Sequence, residues 1–246
     1  MEDLLITMRK LLLAVLILIL ILFMLNIKAS TRQGINFQWH TLKIPLYLKV
    51  LNFIDRHYNY KELVKQITSG AKNDQEKVMV IFKWTHENIR RAPEGFPIVD
   101  DHVWHIIVRG YGSDDQISDV FTTLCNYAGT DAFFRWIEEG ENKSLLPLSF
   151  VKIKRRWSVF DPYRGVYFKN NKGDLASVED IVKGDWLIAN TDSPGSAYIN
   201  YAQYFKNLQL IKGMWLTRAN TQSPLNRFKF EIKKWLNKRD ENHIKK

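Results

Sequence analysis

Apolar residues run without interruption from Leu11 to Leu25, fifteen positions bracketed by Arg9 and Lys10 on one side and Asn26 and Lys28 on the other. As a helix the run is about 22 Å long, short of a hydrocarbon core of about 30 Å. Leu4 to Met8 extend it if Arg9 and Lys10 snorkel, and Ile27 adds a little at the far end. The stretch Asn26-Ile-Lys-Ala29 lacks the paired small residues of a signal-peptidase site, so an uncleaved signal anchor over residues 11–27 is expected, after a flank at 1–10. Residues 28–43 read as a polar linker. Beyond them the period changes to that of amphipathic helices. Leu46, Tyr47, Val50, Leu51 and Ile54 mark one over Ile44–Tyr58. Leu63, Val64 and Ile67 mark a second over Tyr60–Ala71. Val78, Ile81, Phe82, Thr85 and Ile89 mark a third, capped by Asn73 and running to about Arg90.

The pattern then breaks at the Pro-rich loop 92–97 and resumes after Arg109-Gly-Tyr-Gly112. The two glycines allow a left-handed or closely approached backbone. Ser113 is a good N-cap, and Asp114 and Asp115 sit where a helix dipole favours negative charge. Ile117, Val120, Phe121, Leu124 and Ala128 form a helical face that ends at Gly129. Strand-like segments follow at Asp131–Ile137, Leu148–Lys154, Trp157–Phe160 and Val166–Lys169, the middle two paired as a hairpin about Arg155. Ser177-Val-Glu-Asp180 opens a short helix that ends by Gly184. Ser193-Pro-Gly195 is a loop, Ala197–Leu208 is helical, and a last helix runs from Ser223-Pro224 to about Lys238. These expectations give a domain at 44–215 and a basic helix and tail at 216–246.

Composition changes the picture in two ways. The chain of 246 residues carries a formal charge of +10, and from Arg218 to Lys246 it has nine Lys or Arg against three acids. Such a tail suits anionic lipid or polysaccharide; no nucleic-acid motif accompanies it, so no nucleic-acid partner is expected. A single cysteine, Cys125, rules out an intramolecular disulfide. Asn142-Lys-Ser144 is a glycosylation sequon, meaningful only in a eukaryotic secretory setting. His102 and His105, beside Asp100 and Asp101, are three apart and share a face if helical, yet a pair falls short of the three or four ligands a metal site requires. Neither a metal nor a cofactor is expected.

The order glycine loop, buried helix, strand and Trp157-Ser-Val-Phe-Asp161-Pro162 resembles the transglutaminase-like, papain-type core, over roughly residues 74–168. Trp84-Thr-His-Glu-Asn-Ile89 is similar to the helix that precedes that core. The resemblance implies an α+β fold in which a buried central helix packs on an antiparallel sheet. It places the family's catalytic Cys at Asp114, its His at Leu148 and its third member at Asp161. Asp114 cannot act as a thiol and Leu148 can neither accept nor donate a proton, so the resemblance implies a degenerate member, a pseudoenzyme. Cys125 lies eleven residues along the helix from Asp114, roughly 16 Å, and is expected in the core. The expected cleft is lined by Asp114, Asp115, Gln116, Asp161, Tyr163 and Arg164, with His102 and His105 nearby. It would bind a peptide, glycan or protein partner, with the domain anchored in a membrane and facing away from the cytoplasm, in cell-envelope or polysaccharide assembly. The alternative is a hydrolase of unusual type, with Asp114 and Asp115 working with His102 or His105 as acid and base.

Overall fold

The structure, a computed structural model, describes residues 2–35, 38–100, 102–140, 143–190, 199–211 and 223–233. Its first helix, α1, spans Glu2–Asn26. The apolar part, Leu4–Asn26, has a mean hydropathy of 2.7, is not buried by the rest of the chain, and is long and apolar enough to cross a membrane. At 1.5 Å per residue its 23 residues reach about 35 Å. The helix continues through Arg9 and Lys10, whose long stems allow their charges to lie outside an apolar environment.

Where a linker is expected at 28–43, two strands pair instead. β1 (Lys28–Ile35) and β2 (Gln38–Pro45) run antiparallel from Lys28 opposite Pro45 to Ile35 opposite Gln38. Lys28, Ser30, Gln38 and residues 40–43 of the hairpin are exposed, so these positions need no apolar alternation. Thr31, Ile35, Thr41 and Ile44 supply the β-branched content that suits a pleated backbone. The next correction concerns the two helices expected over 44–71. They are one, α2 (Leu46–Ile67), because nothing between Tyr58 and Tyr60 breaks a helix. The Leu46 amide donates to the Ile27 carbonyl at 2.9 Å, which ties the start of α2 to the end of α1.

α3 (Asp74–Asn88) starts where Asn73 accepts a hydrogen bond from the Glu76 amide, and it buries Val78, Ile81, Phe82 and Thr85. Three short pieces carry the chain to the next long helix. β3 (Arg90–Arg91) lies parallel to β5 (Tyr111–Gly112), β4 (Val99–Asp100) adds to β1, and α4 (Val103–Arg109) ends at Gly110. Gly110 has φ +72° and donates its amide to the Ile106 carbonyl, a left-handed helix end that favours glycine. α5 (Asp114–Tyr127) is the buried central helix, and Gly129, at φ +87°, closes it.

α5 packs on a five-stranded antiparallel sheet. Its strands are β6 (Ala132–Glu138), β7 (Leu145–Ile153), β8 (Arg156–Asp161), β9 (Val166–Lys169) and β10 (Leu187–Asn190), in the order β10-β9-β8-β7-β6. The β7–β8 turn sets Lys154 and Arg155 both at positive φ, the geometry that matches the strand twist of a tight hairpin. β10 has no counterpart in the sequence reading, since Leu187, Ile188 and Asn190 are all exposed and no side alternates. α6 (Val178–Val182) follows the Ser177 cap, and α7 (Tyr201–Phe205) is shorter than the helix expected over 197–208. Residues 224–233 are helical. The rest of the basic tail, Ser193-Pro-Gly195 and Asn142 lie outside the described residues.

The sheet buries both faces. Toward α3 and α5, Phe82, Phe121 and Phe160 meet ring to ring at 5.3–5.7 Å. On the other side, Phe133, Phe150, Trp157 and Phe168 pack with Tyr201 and Phe205 of α7. The architecture is α+β, a central helix laid on an antiparallel sheet with extra helices before it.

Candidate functional site

The start of α5 is fixed by one amide side chain. Gln116 is nearly buried, and its Oε1 accepts from Arg109 Nη2 at 2.8 Å and from the Ser113 amide at 3.2 Å. Its Nε2 donates to the Val99 carbonyl at 2.7 Å. One residue thus joins the end of α4, the N-cap of α5 and β4. Gly112 packs closely beside it: a Cβ there would lie 3.0 Å from Gln116 Oε1 and 3.1 Å from its Cβ, so a side chain would press on Gln116. Arg109 also donates from Nε to the Tyr111 carbonyl and lies over the Tyr111 ring at 5.4 Å.

Asp161, at the end of β8, is fully buried. Its Oδ2 accepts from Arg164 Nη1 at 3.0 Å and from the Tyr201 hydroxyl at 2.8 Å; its Oδ1 accepts from the Arg164 amide at 3.2 Å. A buried carboxylate needs such partners to offset its desolvation. The carboxylate in turn pushes the Tyr201 hydroxyl further upward, adding to the larger effect of burial. In the antiparallel register of β7 and β8 Ser149 lies opposite Phe160, Leu148 precedes Ser149 and Asp161 follows Phe160. Leu148 is fully buried among Phe150, Leu146 and the aromatic layer beneath α7.

Asp114 is half-buried, and its carboxyl lies above its usual range. Burial is the main cause; the Asp115 amide, donating at 2.9 Å, opposes it, as does the Arg164 charge, while the Asp115 and Asp161 charges add to it. Desolvation here outweighs what a helix N-terminus offers an acid. The group therefore prefers its proton in the folded chain, which has a consequence for stability. Below about pH 3.8 both states hold the proton; as pH rises from there through the folded value, the unfolded state releases it first and stability falls. Asp114→Asn, uncharged throughout, is expected to unfold at higher urea than the parent at neutral pH, with the difference closing below pH 3.8. Urea midpoints measured across that range check it; a parent more stable than the variant at neutral pH would show that the carboxylate is favoured.

Around these residues the sequence expectation is only partly gathered. Asp114 and Asp161 lie within reach of each other's charge with Arg164 beside both. Tyr163 carries Arg91 over its ring at 4.5 Å and Arg164 at 5.1 Å. Asp115 is engaged locally, its carboxylate accepting from the Ser113 hydroxyl. His102 precedes α4 and His105 lies in its first turn, their rings 5.7 Å apart and steeply inclined. Among the described residues, no three His, Cys, Asp or Glu side chains gather as a metal site requires. Cys125 is fully buried in the core and its thiol is pushed well up by burial.

The family model of the transglutaminase-like superfamily matches residues 61–162, from the second half of α2 to the turn after β8. That segment is similar to a transglutaminase-like core. No curated protein matches the chain. Among solved structures it is similar to a candidate protease from Parabacteroides distasonis ATCC 8503, at 14% identity and TM-score 0.36, covering 54% of this chain and 35% of that one. It is also similar to a candidate cysteine protease from Cytophaga hutchinsonii, at 14% identity and TM-score 0.37, covering 55% of this chain and 47% of that one. The chain therefore spans less than half of either protein.

Three residues around the site, Tyr201, Arg91 and Arg109, were not among those expected from the sequence. Tyr201 reaches Asp161 from forty residues away, and no local pattern signals it. Arg109 had a usable signal, since it opens the glycine loop whose turn returns it to Gln116. His86 was also overlooked: its Nδ1 lies 3.1 Å from the Pro162 carbonyl and donates to it, linking α3 to the turn that carries Tyr163 and Arg164.

Proposed function

We propose that this chain is a membrane-anchored, non-catalytic transglutaminase-like domain. Its cleft at the start of α5 binds a peptide, glycan or protein partner outside the cytoplasm, in cell-envelope or polysaccharide assembly. The observation that supports the reading is the buried Asp161 carboxylate, held by Arg164 and Tyr201. Cysteine acyl transfer needs a thiolate, a base to take its proton and a group that orients the base. By the family resemblance Leu148 takes the position of the base, and the oxygens of Asp161 accept from Arg164 and Tyr201. The carboxylate serves as a structural anchor for the cleft, and Tyr163, stacked against Arg91 and Arg164, offers an aromatic and cationic wall to a ligand. α1 supplies the anchor, and the basic tail adds affinity for anionic lipid or polysaccharide.

One observation favours a second reading. A carboxyl raised by burial at the start of a helix is what a general acid needs, so Asp114 would be the proton donor of a hydrolase. Full-length protein assayed against peptide, amide and glycan substrates separates the two. The binding reading expects no turnover above a buffer control. Turnover lost in Asp114→Asn overturns it in favour of the hydrolase, and turnover lost in Cys125→Ala would assign it to the thiol.

A further inference from the structure

α2 is apolar on two opposite sides. One side carries Arg56, Tyr60 and Val64 into the core. On the other, Tyr47, Val50, Leu51, Ile54 and Tyr58 recur at the spacing of a single helical face and stay exposed, Leu51 at 57% and Tyr58 at 64%. The stripe is confined to the half of α2 nearest α1. Beyond Tyr58 the same side turns polar with Lys61 and Glu62, both exposed. A helix that only had to cover a soluble core would be polar here, and contiguous exposed apolar surface marks an interaction site.

The place of the stripe identifies its occupant. The Leu46 amide bonds the Ile27 carbonyl, so α2 begins where the apolar α1 ends. Ile27 and Leu42, also exposed and apolar, lie beside that junction, and Lys28, Lys43 and Lys49 are exposed around it. Apolar side chains flanked by lysines, next to a membrane-spanning helix, match the boundary between acyl chains and anionic head groups.

We propose that the first three turns of α2, from Tyr47 to Tyr58, lie in the membrane interface, with this stripe among the lipids and the neighbouring lysines at the phosphates. This rests on α1 being in the membrane. The first half of α2 then holds the domain against the bilayer surface, where a single span would leave it tethered by one point.

The test is photo-crosslinking of the full chain in phosphatidylcholine–phosphatidylglycerol vesicles. p-Benzoylphenylalanine is placed in turn at Leu51, at Ile54, at Glu62 and, within α1, at Leu16. The expected result is a mass shift of one phospholipid at Leu51, Ile54 and Leu16, with none at Glu62. A lipid adduct at Leu16 alone overturns the interfacial stripe while leaving the anchor in place. A chain-to-chain adduct at Leu51 or Ile54 also overturns it, since the stripe would then bind a second copy. Absence of a lipid adduct at all of Leu16, Leu51 and Ile54 removes the anchor and the stripe together. Equal lipid adducts at Leu51 and Glu62 remove the facial orientation on which the proposal stands.

Discussion

Arg164→Leu is expected to destabilise the chain by about 3–5 kcal/mol, the cost of leaving a buried charge without its counter-ion. Asp161 is fully buried, and Arg164 donates two hydrogen bonds to its carboxylate, one from the side chain and one from the backbone. The variant keeps the backbone bond and the Tyr201 hydroxyl, which cannot neutralise the carboxylate. Urea unfolding of the full chain in detergent, followed by circular dichroism, measures the loss. Asp161→Asn combined with Arg164→Leu removes both charges, so the double variant should recover part of it. A single variant that loses less than about 1 kcal/mol would place the pair in the range of exposed ion pairs and show that water reaches Asp161.

Phe160→Ala should cost about 3–5 kcal/mol as well, through the void it leaves in a packed interior. Phe160 is fully buried on the α5 side of β8, against Phe82 at 5.4 Å and Phe121 at 5.3 Å. Three elements meet at that point, so collapse around the void would require α3, α5 and the sheet to shift together. Phe160→Leu, which keeps most of the volume, should lose much less. The comparison of the two by the same unfolding measurement tests the packing argument; equal losses would point to a role for the ring other than filling space.

Much of this architecture is legible in the chain because the pattern that sets it is local. Ser113 and Gly129 bracket α5, Asn73 begins α3, and Val78, Ile81, Phe82 and Thr85 repeat at the helical period that the core later uses. The misreadings have physical causes too. β1 and β2 are satisfied by each other's backbone and need no buried side, so their polar sequence passes for a linker. The break expected near Tyr58 rests on a lapse of periodicity alone, and a helix persists through such a lapse when no glycine or proline ends it. The grouping of Asp114, Leu148 and Asp161 follows from a resemblance carried by short local motifs. What Asp161 does depends on Tyr201, brought to it only by packing of α7 on the far side of the sheet. Contacts of that kind leave no trace in spacing.

Cys125 sits at zero exposure in α5, within the core that α5 shares with α2, α3 and the sheet, with its thiol pushed well up toward the unreactive protonated form by burial. The chain therefore carries a built-in clock. A thiol reagent reacts only in the moments when the core around α5 opens, so the rate of modification counts those openings. A ligand gripping the start of α5 would slow the clock, and would do so whatever its chemical nature, which makes this one sulfur atom a detector for partners that have yet to be identified.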